Sequence, residues 1–329
     1  MTRVVFMGSS SFSVPALRAL LEAGYEIAAV VTQPDRPAGR FRRIHPGPVK
    51  ALALEKGLPL WQPETLRTPE ARERLRALAP HLIVVAAYGE ILRPEVLDLP
   101  PHGCVNLHPS LLPRWRGPSP VAAAILAGDR ETGVTLIRMD AGMDTGPILA
   151  QEVLPLSGRE RQGELLARLA EMAADLLVRT LPAWLAGEVV PRPQGEEGAT
   201  YCRPLRKEDG QVDWERPAEH IERMVRAYDP WPGTYTFLRG RRLHIWRAAV
   251  WPETLPAAPG TVHWDGQRLL VATGEGSLSL EEVQWEGKRR LPIRAFLLGQ
   301  RALEGARLGV APTAALPGVP GALFWALLR

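Results

Sequence analysis

Arg3-Val4-Val5-Phe6-Met7-Gly8 opens the chain as an almost unbroken apolar run that stops at a glycine. A run of this kind fits a strand buried on both faces, as parallel sheets require. A helical pattern follows over Pro15–Ala23, with Ser13 as its expected N-cap and Gly24 as its stop. A second apolar run, Glu26–Thr32, completes a strand–helix–strand unit. The rhythm continues with strands expected at Leu82–Tyr88, Cys104–Leu107 and Val134–Met139. Helical patterns at Pro69–Ala79 and Pro118–Ala127 each place proline near the first turn, where its missing N–H costs least. A long amphipathic stretch, Gln162–Leu185, ends before Gly187. The predicted fold class is therefore α/β: an open, doubly wound, mostly parallel, Rossmann-like sheet.

The pattern changes after Pro191-Arg192-Pro193-Gln194-Gly195-Glu196-Glu197-Gly198, which reads as a linker. One helix, Pro217–Tyr228, precedes short strands at Tyr235–Leu238, Arg242–Val250, Gly260–Trp264, Leu269–Thr273 and Ser277–Val283. Such spacing suggests a smaller β-barrel (OB-like) or a sandwich. The expected organisation is a first domain over 1–188, a linker over 189–207, a barrel over 208–308 and an irregular tail over 309–329.

Composition narrows the function. Of 329 residues, 46% are hydrophobic and 23% charged, as in soluble globular proteins. Two distant cysteines, Cys104 and Cys202, supply neither a disulfide framework nor a structural zinc site, so a reducing, cytoplasmic setting is expected. No apolar run suits a signal peptide or a bilayer span, and no membrane partner is expected. The net charge of +4 is compatible with an anionic partner. Arginine supplies nearly all of the basic residues, and the chain has one asparagine, Asn106. A sequence that otherwise avoids asparagine spends one at a strand end, where open α/β sheets bind ligands.

Asn106 and His108 fall on one face of that strand end, roughly 7 Å apart along the chain. Pro109 and Pro113 stiffen the loop that follows, and Asp144 sits in a glycine-rich turn after the next strand. His108 can move a proton, Asp144 can orient the imidazole, and Asn106 can donate to a developing oxyanion. No Gly-x-Ser-x-Gly elbow is present, so the nucleophile is expected from a substrate, in a direct acyl-type transfer. On residues alone, His108 also fits a satisfied structural histidine and Asp144 a simple Asx-turn. A hydrolase built on Ser110, His108 and Asp144 is a third arrangement that the residue types allow.

The segment Asn106–Gly117, with Asp144-Thr145-Gly146, resembles the 10-formyltetrahydrofolate-dependent formyltransferases. Thr32–Arg40, Pro48-Val49-Lys50, Val85–Leu92 and Asp229-Pro230-Trp231-Pro232-Gly233 are similar to the branch of that family acting on methionyl-tRNA. The likeness runs from about residue 3 to about residue 305. It implies a catalytic trio of Asn106, His108 and Asp144. It implies folate binding by Ser110, Leu111, Leu112 and Pro113, and by the backbone near Ala86, Ala87, Tyr88, Gly89 and Glu90. The implied reaction is attack of the methionyl α-amine of initiator methionyl-tRNA on the formyl carbon of 10-formyltetrahydrofolate, the co-substrate, with no metal. Model α-amines titrate near roughly 7.7–8.0, so much of the amine is already neutral near pH 7. Alternatives within the family act on a glycinamide nucleotide or an amino sugar, or hydrolyse 10-formyl-folate. A tRNA-binding module without catalysis would need no intact trio.

The resemblance also gives the basic segment 34–50 a task. Arg36, Arg40, Arg42, Arg43 and Lys50 face one acid there, Asp35, and four prolines and two glycines predict a long loop and no helix. Arginine binds phosphate bidentately and stacks on unpaired bases, so the loop is expected to meet the tRNA acceptor end. The other reading is a solvated surface cluster. Lys207 is a further tRNA-facing candidate. The expected oligomeric state is a monomer.

Overall fold

The computed structural model describes residues 1–36, 45–300 and 302–309. The chain divides into two compact units, Met1–Leu205 and a second beginning at Arg206.

The first unit runs β1 (Arg3–Gly8), α1 (Ser13–Glu22), β2 (Glu26–Val31), α2 (Pro48–Glu55), β3 (Leu60–Trp61), α3 (Pro69–Ala77), β4 (Leu82–Ala86), α4 (Pro94–Leu97), β5 (Cys104–His108), α5 (Pro120–Ala127), β6 (Glu131–Arg138), β7 (Ile148–Pro155) and α6 (Gln162–Leu185). The sheet order is β3-β2-β1-β4-β5-β6-β7. Pairing is parallel from β3 to β5 and antiparallel for β5–β6 and β6–β7. The sheet is mostly parallel, as expected, with β6 and β7 as its antiparallel part. A continuous apolar run reports burial on both faces, and it does not report direction. β3 and β7 escaped the sequence reading because β3 has two residues and β7 carries Gln151 and Glu152.

Both faces of the sheet are covered. One side gathers Val5, Met7, Ala29, Val31, Ile83, Val85 and Cys104 against Ala71 and Leu75 of α3 and Val96 and Leu97 of α4. The alternate residues Val4, Phe6, Val30, Leu82, Val84 and Val105 are also fully buried, and α6 packs on α1, β5, β6 and β7.

Two local expectations change. Ser13 is not an N-cap. It is the first residue of α1, and its hydroxyl donates 2.6 Å to the carbonyl of Ala86 at the end of β4. Gly8 allows this approach, since a Cβ there would lie 2.7 Å from the Ser13 Cβ and 2.8 Å from the Ala86 oxygen. The segment 34–50 is not all loop either, because Pro48 starts α2 and Lys50 lies inside it. Proline at the first helical position explains the start. Arg40, Arg42 and Arg43 lie outside the described residues.

The stretch 191–202, read as linker, is laid along the first unit. Arg192 exchanges backbone hydrogen bonds with Ile148 at 2.8 and 2.9 Å, and Tyr201 forms a parallel bridge with Arg116.

The second unit contains α7 (Ala218–Ala227), β8 (Thr234–Leu238), β9 (Arg241–Trp251), β10 (Val262–Trp264), β11 (Leu269–Ala272), β12 (Ser277–Trp285), β13 (Leu291–Pro292) and α8 (Ile293–Leu297). The antiparallel order is β10-β11-β12-β9-β8, with β13 on β12. Residues 305–309 bridge the two edges: Val262 donates to Ala306, Leu308 to Gly260 and Gly309 to Phe237, at 2.8, 2.8 and 2.9 Å. This closes the sheet into the small barrel expected from the strand spacing. Among the described residues, no helix is long and apolar enough to cross a membrane.

Ser13→Ala leaves the buried Ala86 carbonyl without its side-chain donor, at a cost of about 1–3 kcal/mol. Urea unfolding of the two proteins should show that loss as a lower midpoint at unchanged slope.

Candidate active site

β5 lies between β4 and β6, with Asn106 paired to Val85 on one side and Ile137 on the other, and His108 paired to Thr135. This register puts the ends of β4 and β5 side by side, so the turn after β4 and the loop after β5 share one edge. Asn106 is 9% exposed and His108 4%. Asp144 reaches them from the β6–β7 connection.

Asp144 draws the three groups together. Its Oδ2 accepts the Gly117 backbone N–H at 2.8 Å and stands 3.6 Å from His108 Nδ1. Its Oδ1 is 3.4 Å from Asn106 Nδ2. The last two contacts are long for hydrogen bonds. His108 Nε2 is 2.9 Å from the Trp115 carbonyl, which can only accept, so Nε2 carries a hydrogen. Nδ1 is then the nitrogen at which a proton can come and go. Asn106 has a second N–H beyond the one facing Asp144, and that donor is available to an oxyanion.

The backbone makes this possible at two points of positive φ. Asp144 has φ +54° and Gly117 φ +111°. A Cβ at Gly117 would lie 2.3 Å from the Cys202 carbonyl oxygen, so only glycine can bring its N–H to Asp144 there. The Asx-turn reading of Asp144 is corrected. Asp140 makes that turn, accepting from Gly142 N at 3.0 Å and Thr145 Oγ1 at 2.7 Å.

The loop after β5 is held by groups the sequence did not single out. Thr135 Oγ1 donates to the Ser110 carbonyl at 2.6 Å and accepts from Leu112 N and from Gln151 Nε2. Gln151 also donates to the Leu112 carbonyl at 3.0 Å. Ser110 is fully buried and its hydroxyl donates 2.6 Å to the Arg114 carbonyl. It is structural, which removes the Ser110 hydrolase. Leu112 is buried with Ile137 and Ile148, while Leu111 and Pro113 keep some exposure. Arg116, Gln194 and Thr200 were also missed. A buried arginine at 1% exposure has no signal in composition or periodicity.

Of the turn after β4, Ala86 and Tyr88 are buried, whereas Ala87 and Gly89 are exposed with left-handed backbone, φ +45° and +92°. A Cβ at Gly89 would meet only Gln33, at 3.9 Å. Glu90 does not project freely. Its carboxylate accepts from Thr65 Oγ1 at 2.6 Å and from Leu66 N at 3.1 and 3.2 Å.

The basic candidates separate. Arg36 and Lys207 are exposed. Lys50 bonds Asp35 Oδ2 at 2.5 Å and Gln62 Oε1 at 2.9 Å. The Lys50 bond, followed by that from Gln62, holds the Asp35 carboxyl below its usual range.

Cys202 sits beside Gly117, with Sγ 3.2 Å from the Ser119 backbone nitrogen. Burial first, and Asp144 with it, raises its thiol pKa. Burial pushes Cys104 up to about 12. In the native protein, iodoacetamide should therefore label Cys202 slowly at pH 8, with a rate still climbing above pH 9. Cys104 should label only on unfolding, and a plateau in the Cys202 rate by pH 8 would contradict the assignment.

The formyl transferase model matches residues 2–181, and the formyl transferase C-terminal domain model matches residues 204–301. The chain is 55% identical over 304 residues to the methionyl-tRNA formyltransferase of Chloroflexus aggregans, covering 92% of this chain and 98% of that one. It is 46% identical over 310 residues to that of Geobacter sulfurreducens, covering 94% and 97%. Among solved structures, the sugar 3N-formyl transferase WlaRD superposes with TM-score 0.64 at 15% identity, covering 88% of this chain and 99% of that one. HypX from Aquifex aeolicus in complex with tetrahydrofolic acid gives TM-score 0.59 at 19% identity, over 91% of this chain, which spans about half the length of HypX (47%). The methionyl-tRNA formyltransferase from Clostridium thermocellum gives 0.53 at 19%, covering 78% and 97%. At these identities the superpositions establish the fold. The two domain models and the full-length identities establish more: the chain belongs to the methionyl-tRNA formyltransferase family.

Proposed function

We propose that this chain transfers the formyl group of 10-formyltetrahydrofolate to the α-amine of initiator methionyl-tRNA, by direct attack of the amine. The observation that carries the chemical part is the convergence of Asn106, His108 and Asp144 at one strand edge. The full-length similarity to methionyl-tRNA formyltransferases favours a tRNA acceptor over a nucleotide or sugar.

The folate supplies the formyl group when bound. The exposed backbone at Ala87 and Gly89, with open space over Gly89, suits a flat ring system, and the residues that would hold it are Ala86–Glu90 and Ser110–Pro113. Ser110 and Glu90 contribute there by fixing loop shape, since their polar atoms are already used. The chain's own residues then do three things. Asn106 donates its free N–H to the oxygen that gains charge as the amine adds. His108 takes at Nδ1 the proton that the attacking amine loses and returns it to N10 of the folate as the bond between N10 and the formyl carbon breaks, which leaves tetrahydrofolate and the formylated amine; Asp144 faces Nδ1 and stabilises the imidazolium. The buried site replaces water with fixed donors, so most of the rate comes from alignment and from oxyanion stabilisation.

On the RNA side, we propose that Arg36, Arg40, Arg42 and Arg43 line the path of the acceptor end, with Lys207 contributing from the start of the second unit. Lys50 supports this indirectly by tying Asp35 to α2. The protein is proposed to act in the cytoplasm as a monomer.

The direct experiment is transfer from 10-formyltetrahydrofolate to charged initiator tRNA, with uncharged tRNA and free methionine as controls. Formylation of methionyl-tRNA alone is expected, and activity confined to free methionine would overturn the reading. Asn106→Ala should lower kcat about 10²–10³-fold with folate binding kept, the usual cost of one oxyanion donor. Arg40→Ala with Arg42→Ala should weaken tRNA binding, flatten its salt dependence and leave folate affinity intact. Unchanged tRNA affinity across a salt series would remove the loop from the interface.

A further inference from the structure

The strap at 191–202 carries a tie that the chemistry above leaves without a role. Gln194 Nε2 donates to two carbonyls, Asp144 at 2.8 Å and Gly146 at 2.7 Å. Gln194 Oε1 accepts from Arg116 Nε at 3.1 Å. The amide orientation follows from these partners. Reversed, its oxygen would face two carbonyl oxygens and its NH₂ would face a guanidinium. Arg116 is itself fixed, buried to 1% exposure, with its guanidinium on Glu196 at 3.1 Å and the Tyr201 hydroxyl at 2.8 Å. Its backbone pairs with Thr200 and Cys202 at 2.9 and 2.8 Å.

The two carbonyls that Gln194 grips bracket the turn that aims the Asp144 carboxylate. One end of the turn is a non-glycine residue at φ +54°, an unfavourable conformation that its surroundings must hold. The other end, Gly146, packs so closely that a Cβ would lie 1.9 Å from the Arg138 carbonyl oxygen. The carboxylate's one short bond, to Gly117 N–H, is fixed from the same strap, because Cys202 presses on Gly117.

We propose that Gln194 is a positioning residue for formyl transfer: it holds the 144–146 turn so that the Asp144 carboxylate meets Gly117, Asn106 and His108. The role rests on the formyl-transfer reading above, and it differs from general support of the fold. A prop for the fold would act on stability, whereas this tie acts through one carboxylate.

The test uses the full chain. Gln194→Met keeps side-chain length and removes both donors, and Gln194→Glu removes the donors while leaving the acceptor for Arg116. In both variants kcat for methionyl-tRNA is expected to fall at least tenfold, with KM for 10-formyltetrahydrofolate and binding of 5-formyltetrahydrofolate within twofold of wild type. In an Asp144→Asn background, adding Gln194→Met should cost nothing further, because the tie then has no carboxylate to aim. Amide hydrogen exchange reads the same tie without catalysis. The Gly117 N–H should exchange at least tenfold faster in Gln194→Met, while Val84 and Val105 in the central strands keep their protection. Unchanged kcat, a full penalty persisting beside Asp144→Asn, or a Gly117 amide as protected as in wild type would each overturn the proposal. If the wild-type protein formylates nothing, the reading of function falls, and the Gly117 exchange rate still decides whether Gln194 aims Asp144.

Discussion

The site depends on one carboxylate held in an uncomfortable backbone. Asp144 at φ +54° has the left-handed conformation that glycine adopts freely and that aspartate adopts at a smaller cost than most residues. Its neighbours offset that cost. Gly117 donates to the carboxylate, Gln194 grips the carbonyl, and the strap segment carrying Thr200 and Cys202 closes over Gly117. Removing any of these contacts frees the carboxylate to leave Asn106 and His108, which have no other charged partner among the bonds they make here. The sheet supplies the complementary constraint. Asn106 and His108 stand two residues apart on β5, a central strand whose pairing to β4 and β6 admits no slip without turning both side chains to the other face.

Rigid and adaptable parts are separated along the same edge. Asn106 and His108 are buried, Asp144 is half-buried, and the loop after β5 is held by hydrogen bonds through Thr135, Gln151 and Ser110. The neighbouring Ala87 and Gly89 leave exposed backbone. Such a division suits a reaction whose main demand is alignment of two bound substrates, since effective concentration is gained only where the receiving groups do not move.

Much of this was legible in the sequence because period and composition report burial. The apolar runs at Arg3, Glu26, Leu82 and Cys104 fixed the parallel core, and α6 matched its pattern over Gln162–Leu185. The lone asparagine pointed to the end of β5, where the structure sets its side chain beside Asp144. The direction of β6 was not legible, since burial is the same either way, and neither was the helix starting at Pro48 within a proline- and glycine-rich stretch. The positioning groups were the least visible. Arg116, Gln194 and Thr200 act across about 50 to 85 residues of sequence; Gln194 and Thr200 bond backbone atoms that any residue would present, and Arg116 bonds the Gln194 side-chain oxygen. A stretch such as Pro191–Gly198 has the composition of a linker whether or not it is strapped to a site.

In the proposed mechanism the formyl group moves straight from donor to amine at this cluster, with no residue of the protein carrying it. A rapid-quench single turnover with formyl-labelled 10-formyltetrahydrofolate and methionyl-tRNA measures that directly. Label should leave the folate and arrive on the tRNA-borne amine with one rate constant, and none should be bound to protein at any time. Label trapped on the protein, at Cys202 or any other side chain, with kinetics that account for the product, would contradict the account.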